Sequence, residues 1–169
     1  MGVKTKCKTK SNDFPNMIRQ LKAADGIGVE AGVLKGENAW LAPIHEYGLD
    51  IEVTPAMRAY LHGQGLHLKD STTHIHIPER SFLRTGYDKH RDELMQKGQT
   101  LLAQVAAGKM TANGCMRALG SSMASKIKDY ARDLDSPENH PFTTDRKGSS
   151  NPLVKTGNMI EGITWRKIK

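Results

Sequence analysis

Cysteine is nearly absent from this chain, aromatic side chains are few, and no apolar run approaches the length that crosses a bilayer. Each shortage excludes something. Cys7 and Cys115 lie far apart with no metal-ligand spacing, so no disulfide framework or zinc site is written here, which suits a reducing cytoplasm. Aromatics make up 5% and the hydrophobic set 37% of 169 residues. The expected core is therefore modest, with part of the chain lying in extended arms or ordered by partners. Lys4, Lys6, Lys8 and Lys10 have no apolar run behind them, which argues against a signal peptide or a membrane anchor. A soluble protein without membrane partners is expected.

What the chain does have is positive charge, +7 at neutral pH. That balance admits contact with nucleic acid or with an acidic protein surface, and also plain solubility. A basic nucleic-acid-binding module is the competing reading. It lacks zinc-finger spacing, an RNA-binding aromatic signature and a clear recognition helix.

The length fits a single domain with arms. Residues 1–11 alternate lysine with other residues and read as a flexible arm or an edge strand, and 12–169 as one domain. Asn12 or Asp13 starts a helix over about 13–24, with Phe14, Met17, Ile18 and Leu21 on one face. Ile27, Val29, Ala31 and Val33 alternate as a half-buried strand. The glycines beside them do not form a phosphate loop, since no strand precedes them and no Gly-Lys-Ser/Thr follows. After a turn at 35–38, Asn38 caps a short helix to Gly48. A strand follows at 50–54, then a helix that Thr54-Pro55 opens. Leu66 and Leu68 are expected to pair with Ile75 and Ile77 as a hairpin turning at 69–72.

Two long helices come next. One runs from Ser81 or Thr85 to about Gly108, with a bend allowed at Gly98. The second is capped by Thr111 and carries Cys115, Leu119, Met123, Ile127, Tyr130 and Leu134. Their short link makes an antiparallel pair. Residues 135–152 read as a long polar loop, a kind of segment that is usually functional or ordered by a partner. Thr156 caps a last helical turn, and Ile163, Trp165 and Lys167 share one face of a closing strand. The fold class is α+β: a small antiparallel sheet packed with helices, including the long antiparallel helix pair, with extended arms.

Catalytic signals are missing. No serine has a nucleophile elbow, no His-Glu-x-x-His occurs, and His45-Glu46 point about 100° apart on a helix, so they do not pair. His140, beside Asn139 in a proline-flanked loop, is a weak nuclease hint. His74 and His76 share a strand face, with His62 and His67 nearby, but no cysteine or suitably spaced carboxylate accompanies them. A solvated or interface face is expected there rather than a metal. Cys115 falls on an apolar stripe and reads as a packed thiol.

Three short runs remain: Ile44-His45-Glu46-Tyr47-Gly48, then Ile77-Pro78-Glu79-Arg80-Ser81-Phe82-Leu83-Arg84, then Pro152-Leu153-Val154-Lys155-Thr156-Gly157-Asn158-Met159. In this order they resemble the tailed-bacteriophage virion-morphogenesis proteins, the neck and tail-completion proteins that act where tail meets head. The resemblance spans residues 26–168. Ser81 stands where that family usually has proline, and the insertion over Thr54–His76 is longer than in its simplest members. Tail completion, tail terminator and head-proximal adaptor all stay open.

The resemblance implies a virion protein of the neck or tail top, assembled in the host cytoplasm, that completes the tail and joins it to the head. It implies a homo-oligomeric ring contacting tail-tube or tail-terminator proteins and head-tail connector proteins, with non-specific contact to packaged DNA. Neither catalysis nor a cofactor is implied. The residues it points to are His45, Glu46, Tyr47, Gly48, Pro78, Arg80, Phe82, Leu83, Arg84, Pro152, Leu153, Thr156 and Gly157. Arg80 and Arg84 suit forked contacts to carboxylates, and Phe82 with Leu83 suits docking of the long helix. His45, Glu46 and Tyr47 suit either a subunit contact or an internal joint.

Overall fold

The computed structural model describes residues 14–34, 36, 39–149 and 151–169. The arm at 1–11 with Cys7, the caps at Asn12, Asp13 and Asn38, and most of the turn at 35–38 lie outside the described residues. In chain order the elements are α1 (Phe14–Ala24), β1 (Gly28–Val33), α2 (Leu41–Tyr47), β2 (Leu49–Glu52), α3 (Pro55–Gly63), β3 (His74–Ile77), α4 (Phe82–Ala106), α5 (Ala112–Asp133), α6 (Pro141–Lys147), α7 (Asn158–Glu161) and β4 (Ile163–Ile168). The architecture is α+β.

The periodic stripe read between 81 and 134 folds as the packed pair α4 and α5. Thr111 caps α5, its Oγ1 accepting from the Gly114 N–H at 3.1 Å. The side chain of Gln20 on α1 accepts from the Ala112 N–H at 3.1 Å, so α1 satisfies a second free donor of the same helix start. α4 runs through Gly98 without interruption; a methyl group there would only touch Leu119. Apolar burial divides in two along the pair. Near the α4–α5 turn, Leu101 and Val105 pack on Cys115 and Met116, with Ile27 and Val29 of the β1 segment against them. At the other end Phe82 packs with Ala124, Ile127, Ala131, Leu153, Met159, Ile160 and Ile163.

The sheet is two separate antiparallel ribbons. β1 pairs with β4, from Gly28 opposite Ile168 to Val33 opposite Ile163, and the ribbon lies on α5. Trp165 comes down on Gly120, where a β-carbon would overlap the indole ring. Gly120→Ala is expected to destabilise by about 1–2 kcal/mol: overpacking of about 1–3 kcal/mol exceeds the roughly 1 kcal/mol gained in helix propensity. A urea melt, together with a changed near-UV tryptophan signal, measures it; unchanged stability would mean the indole is free to move aside.

Two expectations need correction. Ile75 and Ile77 do not pair with Leu66 and Leu68. β3 pairs instead with β2, Leu49 opposite Ile77 and Glu52 opposite His74. The Val53 N–H takes the Thr73 carbonyl at 2.8 Å and so carries β2 onto β3, while Arg58 of α3 binds the preceding turn to its helix through the carbonyls of Leu68 (3.3 Å), Lys69 (2.9 Å) and Thr72 (2.7 Å). Second, the stretch 135–152 is not all loop. It contains α6, with Pro141 in its first turn, the His140 Nδ1 accepting from the Phe142 N–H at 3.3 Å, and Gly148 closing it in a left-handed conformation.

Candidate functional site

The three motif runs, far apart in sequence, meet at the start of α4. The chain leaves α2 through Gly48, at φ 73° and ψ 173°. Few residues other than glycine adopt that backbone region. The 77–80 strand exit then crosses directly over Gly48, and the Arg80 N–H donates to the His45 carbonyl at 2.7 Å.

Glu46 sits at the centre of this joint and is 2% exposed. Its carboxylate accepts from the Leu83 N–H at 2.8 Å and the Arg84 N–H at 3.0 Å, the free donors of the first α4 turn. It also accepts from the Ser81 hydroxyl at 3.1 Å and from Arg84 Nε at 3.0 Å. Ser81 occupies the cap position but makes no side-chain cap bond of its own. An anion from another helix therefore caps α4, at the end where the helix dipole is positive. With four donors on it, the buried charge is matched.

Arg84 extends the joint outwards. Its guanidinium also reaches the Glu46 carbonyl at 3.1 Å and the Glu79 carboxylate at 2.6 Å, and lies 4.6 Å over the Tyr47 ring. The hydrogen bond to Glu46 is the largest influence raising its pKa, so it stays charged. It thus meets two carboxylates with one nitrogen on each, where a fork onto one was expected. Arg80 differs. It is 4% exposed and faces no carboxylate among the described residues: Nε donates to the Pro137 carbonyl at 2.7 Å, and Nη2 to the Glu138 carbonyl at 2.9 Å and the Asn139 side-chain oxygen at 3.2 Å. The chain turns back at 137–139 beside it, presenting carbonyls where an acid was expected. Asn139 then donates to the Pro152 carbonyl at 3.5 Å, which links in the third run.

Each residue of the set takes a distinct place. Phe82 is fully enclosed, and Pro152 and Leu153 are buried with it, while Leu83 packs half-buried on the same cluster. Pro78 is half-buried. Tyr47 turns outward, 64% exposed. Glu46 is a joint inside the molecule, so of the two roles expected for it the internal one is what the geometry fills. His45, Pro152, Leu153, Thr156 and Gly157 line a cleft of about 620 Å³ between α2, α6 and the 152–159 segment. Sequence reasoning did not single out the other side chains of that cleft, Arg146, Lys147, Lys155 and Phe142; the run of basic residues around 146–147 was the available signal.

The cleft is electrostatically one-sided. Burial, then the charges of Arg80 and Lys147, push the His45 imidazole down to about 4, so it is neutral at pH 7. Its Nδ1 is buried without a hydrogen-bond partner among the described residues. The Lys147 ammonium is likewise pushed down, first by burial and then by Arg80 and Lys155. It donates to the carbonyls of Asn151 at 2.9 Å and Pro152 at 2.7 Å.

The histidines elsewhere form pairs. His62 and His67 meet through Nδ1 atoms 2.8 Å apart, and His76 meets Asp50 at 2.7 Å across the β2–β3 ribbon. That carboxylate is supplied by the neighbouring strand, which no local spacing shows. Among the described residues no group of three His, Cys, Asp or Glu side chains is placed to hold a metal ion, and no helix is long and apolar enough to cross a membrane. Cys115 is 1% exposed and burial pushes its thiol pKa up, as a packed thiol should be. Compared with known proteins, the chain matches no family model, no curated protein and no solved structure.

Proposed function

We propose that this chain is a structural virion protein of the neck or tail top of a tailed phage, acting as a subunit of an oligomeric ring that joins tail to head. One observation supports this reading most: the three runs that carry the resemblance converge on a single interlocked joint. Glu46, Arg80 and Arg84 bond backbone and side-chain groups of distant segments, and so act as fasteners between elements. A motif set used that way suits a protein whose product is a shape. The same stretch of chain also leaves Trp40, Tyr47, Leu49 and Tyr60 exposed. Aromatic anchors of this kind are what subunit contacts draw on.

The test is the mass of the purified protein in solution, alone and mixed with phage tail tubes, at low and moderate salt. The expected result is one discrete oligomer, or a defined complex capping the tubes, weakened in a Trp40→Ser, Tyr60→Ser double variant that melts like the parent. A monomer that ignores tubes and binds DNA steeply as salt falls would overturn the reading in favour of a nucleic-acid-binding module.

A further inference from the structure

The cleft beside the joint carries positive charge that no acidic side chain among the described residues neutralises. Arg146, Lys147 and Lys155 line it, and among the described residues no Asp or Glu does. Asp145 and Glu138 stand on the adjoining segments, outside the lining. Arg80 lies close behind and is solvated only by carbonyl and amide oxygens. Lys147 uses two of its N–H groups on carbonyls, and the third has no acceptor among the described residues. Lys155 has neither a hydrogen bond nor an ion pair among the described residues. Arg146 is held in place rather than neutralised: it donates to the Gln64 side-chain oxygen at 2.6 Å and stacks 5.1 Å over Phe142. These cations repel one another across a half-dry space, a cost that an arriving anion would remove.

The cations share the cleft with the apolar side chains of Leu41, Phe142, Leu153 and Met159, the Phe142 ring lying under Arg146. A nucleic-acid backbone calls for a track of cations without that apolar share. A polypeptide segment with a carboxylate next to an apolar side chain satisfies both kinds of lining together. The volume, about 620 Å³, falls within the range of sites that enclose a few side chains.

We propose that this cleft binds an acidic segment of a partner polypeptide, its carboxylate seated among Arg146, Lys147 and Lys155 and its apolar neighbour laid against Leu41 and Phe142. The assignment stands on the cleft alone and holds whether or not the protein forms rings.

The test uses the full chain and an array of short immobilised peptides that combine Asp or Glu with Leu, Ile or Phe in all orders, beside copies with Asn and Gln in place of the acids. A single-stranded oligonucleotide serves as the phosphate-bearing probe. Acidic peptides should be retained over their amide copies. Lys155→Glu should weaken the best of them about tenfold, with a melting temperature no lower than the parent's and a smaller dependence on salt. Lys155 makes no hydrogen bond or ion pair with another described residue, so this variant tests the cleft without removing a bond of the joint. Equal retention of acid and amide peptides, or undiminished retention by Lys155→Glu, would overturn the proposal. So would an oligonucleotide that binds more tightly than any acidic peptide and is released by the same substitution.

Discussion

Replacing Glu46 by alanine is expected to destabilise the protein by about 3 kcal/mol, a fall in melting temperature of roughly 6–12 °C. The substitution removes the acceptor for the Leu83 and Arg84 N–H groups. Both lie in the first turn of a helix, where no intrahelical carbonyl replaces it. It also strips Arg84 and Ser81 of a partner. Loss of the buried carboxylate removes its desolvation cost, which offsets part of this, so the expected figure stays below a plain sum of four bonds. Ser81→Ala supplies the contrast. Were Ser81 the cap, its loss would match that of Glu46; as a donor to Glu46 it should cost only about 1 kcal/mol. Paired urea melts decide between the two, and a Glu46→Ala protein within about 0.5 kcal/mol of the parent would remove Glu46 from the centre of the joint.

Gly48→Ala is expected to cost a similar amount, about 3 kcal/mol or more, for a different reason. At φ 73° and ψ 173° an L-residue is strained by roughly 1–3 kcal/mol. The new methyl group would also stand 2.8 Å from the Ile77 carbonyl oxygen and 2.9 Å from the Glu79 nitrogen. Both are backbone atoms, which cannot swing aside as a side chain can. Moving them displaces the Arg80 N–H from His45 and, beyond it, the α4 start from Glu46. Gly65→Ala is the control: it too has positive φ, 87°, but its added methyl group would meet nothing within 4 Å, so only about 1 kcal/mol of conformational strain is expected. If the two alanines cost the same, crowding at Gly48 contributes nothing. The double variant Glu46→Ala, Gly48→Ala should cost less than the two singles added, since both loosen one joint.

The helix pair was legible because its period repeats over many turns: α4 and α5 begin and end within a few residues of the expected bounds. The first and last strands were legible from alternation for the same reason. What alternation cannot carry is the partner. Ile75 and Ile77 announce a strand, but nothing local shows that Arg58 ties the preceding turn to α3 or that the strand pairs with β2. Helix α6 escaped notice because it is short and Phe142 is its one large apolar residue, although Pro141 and Gly148 mark its two ends. Glu46 shows the deepest limit. Its role rests on donors at 83 and 84, and no local pattern at 46 distinguishes a tertiary cap from any acidic residue on a short helix. The three runs were visible as special, and their meeting was not.

The pairing of β1 with β4 has a consequence during synthesis. The ribosome releases Gly28–Val33 well before Ile163–Ile168, with the whole helix pair made in between. At about 5–20 residues per second, β1 waits on the order of ten seconds for β4, its strand partner among the described residues. Through that interval its backbone donors and acceptors form an open edge, the kind on which nascent chains cross-pair. Glu30, mid-strand and later matched to Arg166, places an unpaired charge on the waiting strand. An ion pair worth little to the finished fold thus has a second use, as a guard on a strand that must stay single until its mate emerges.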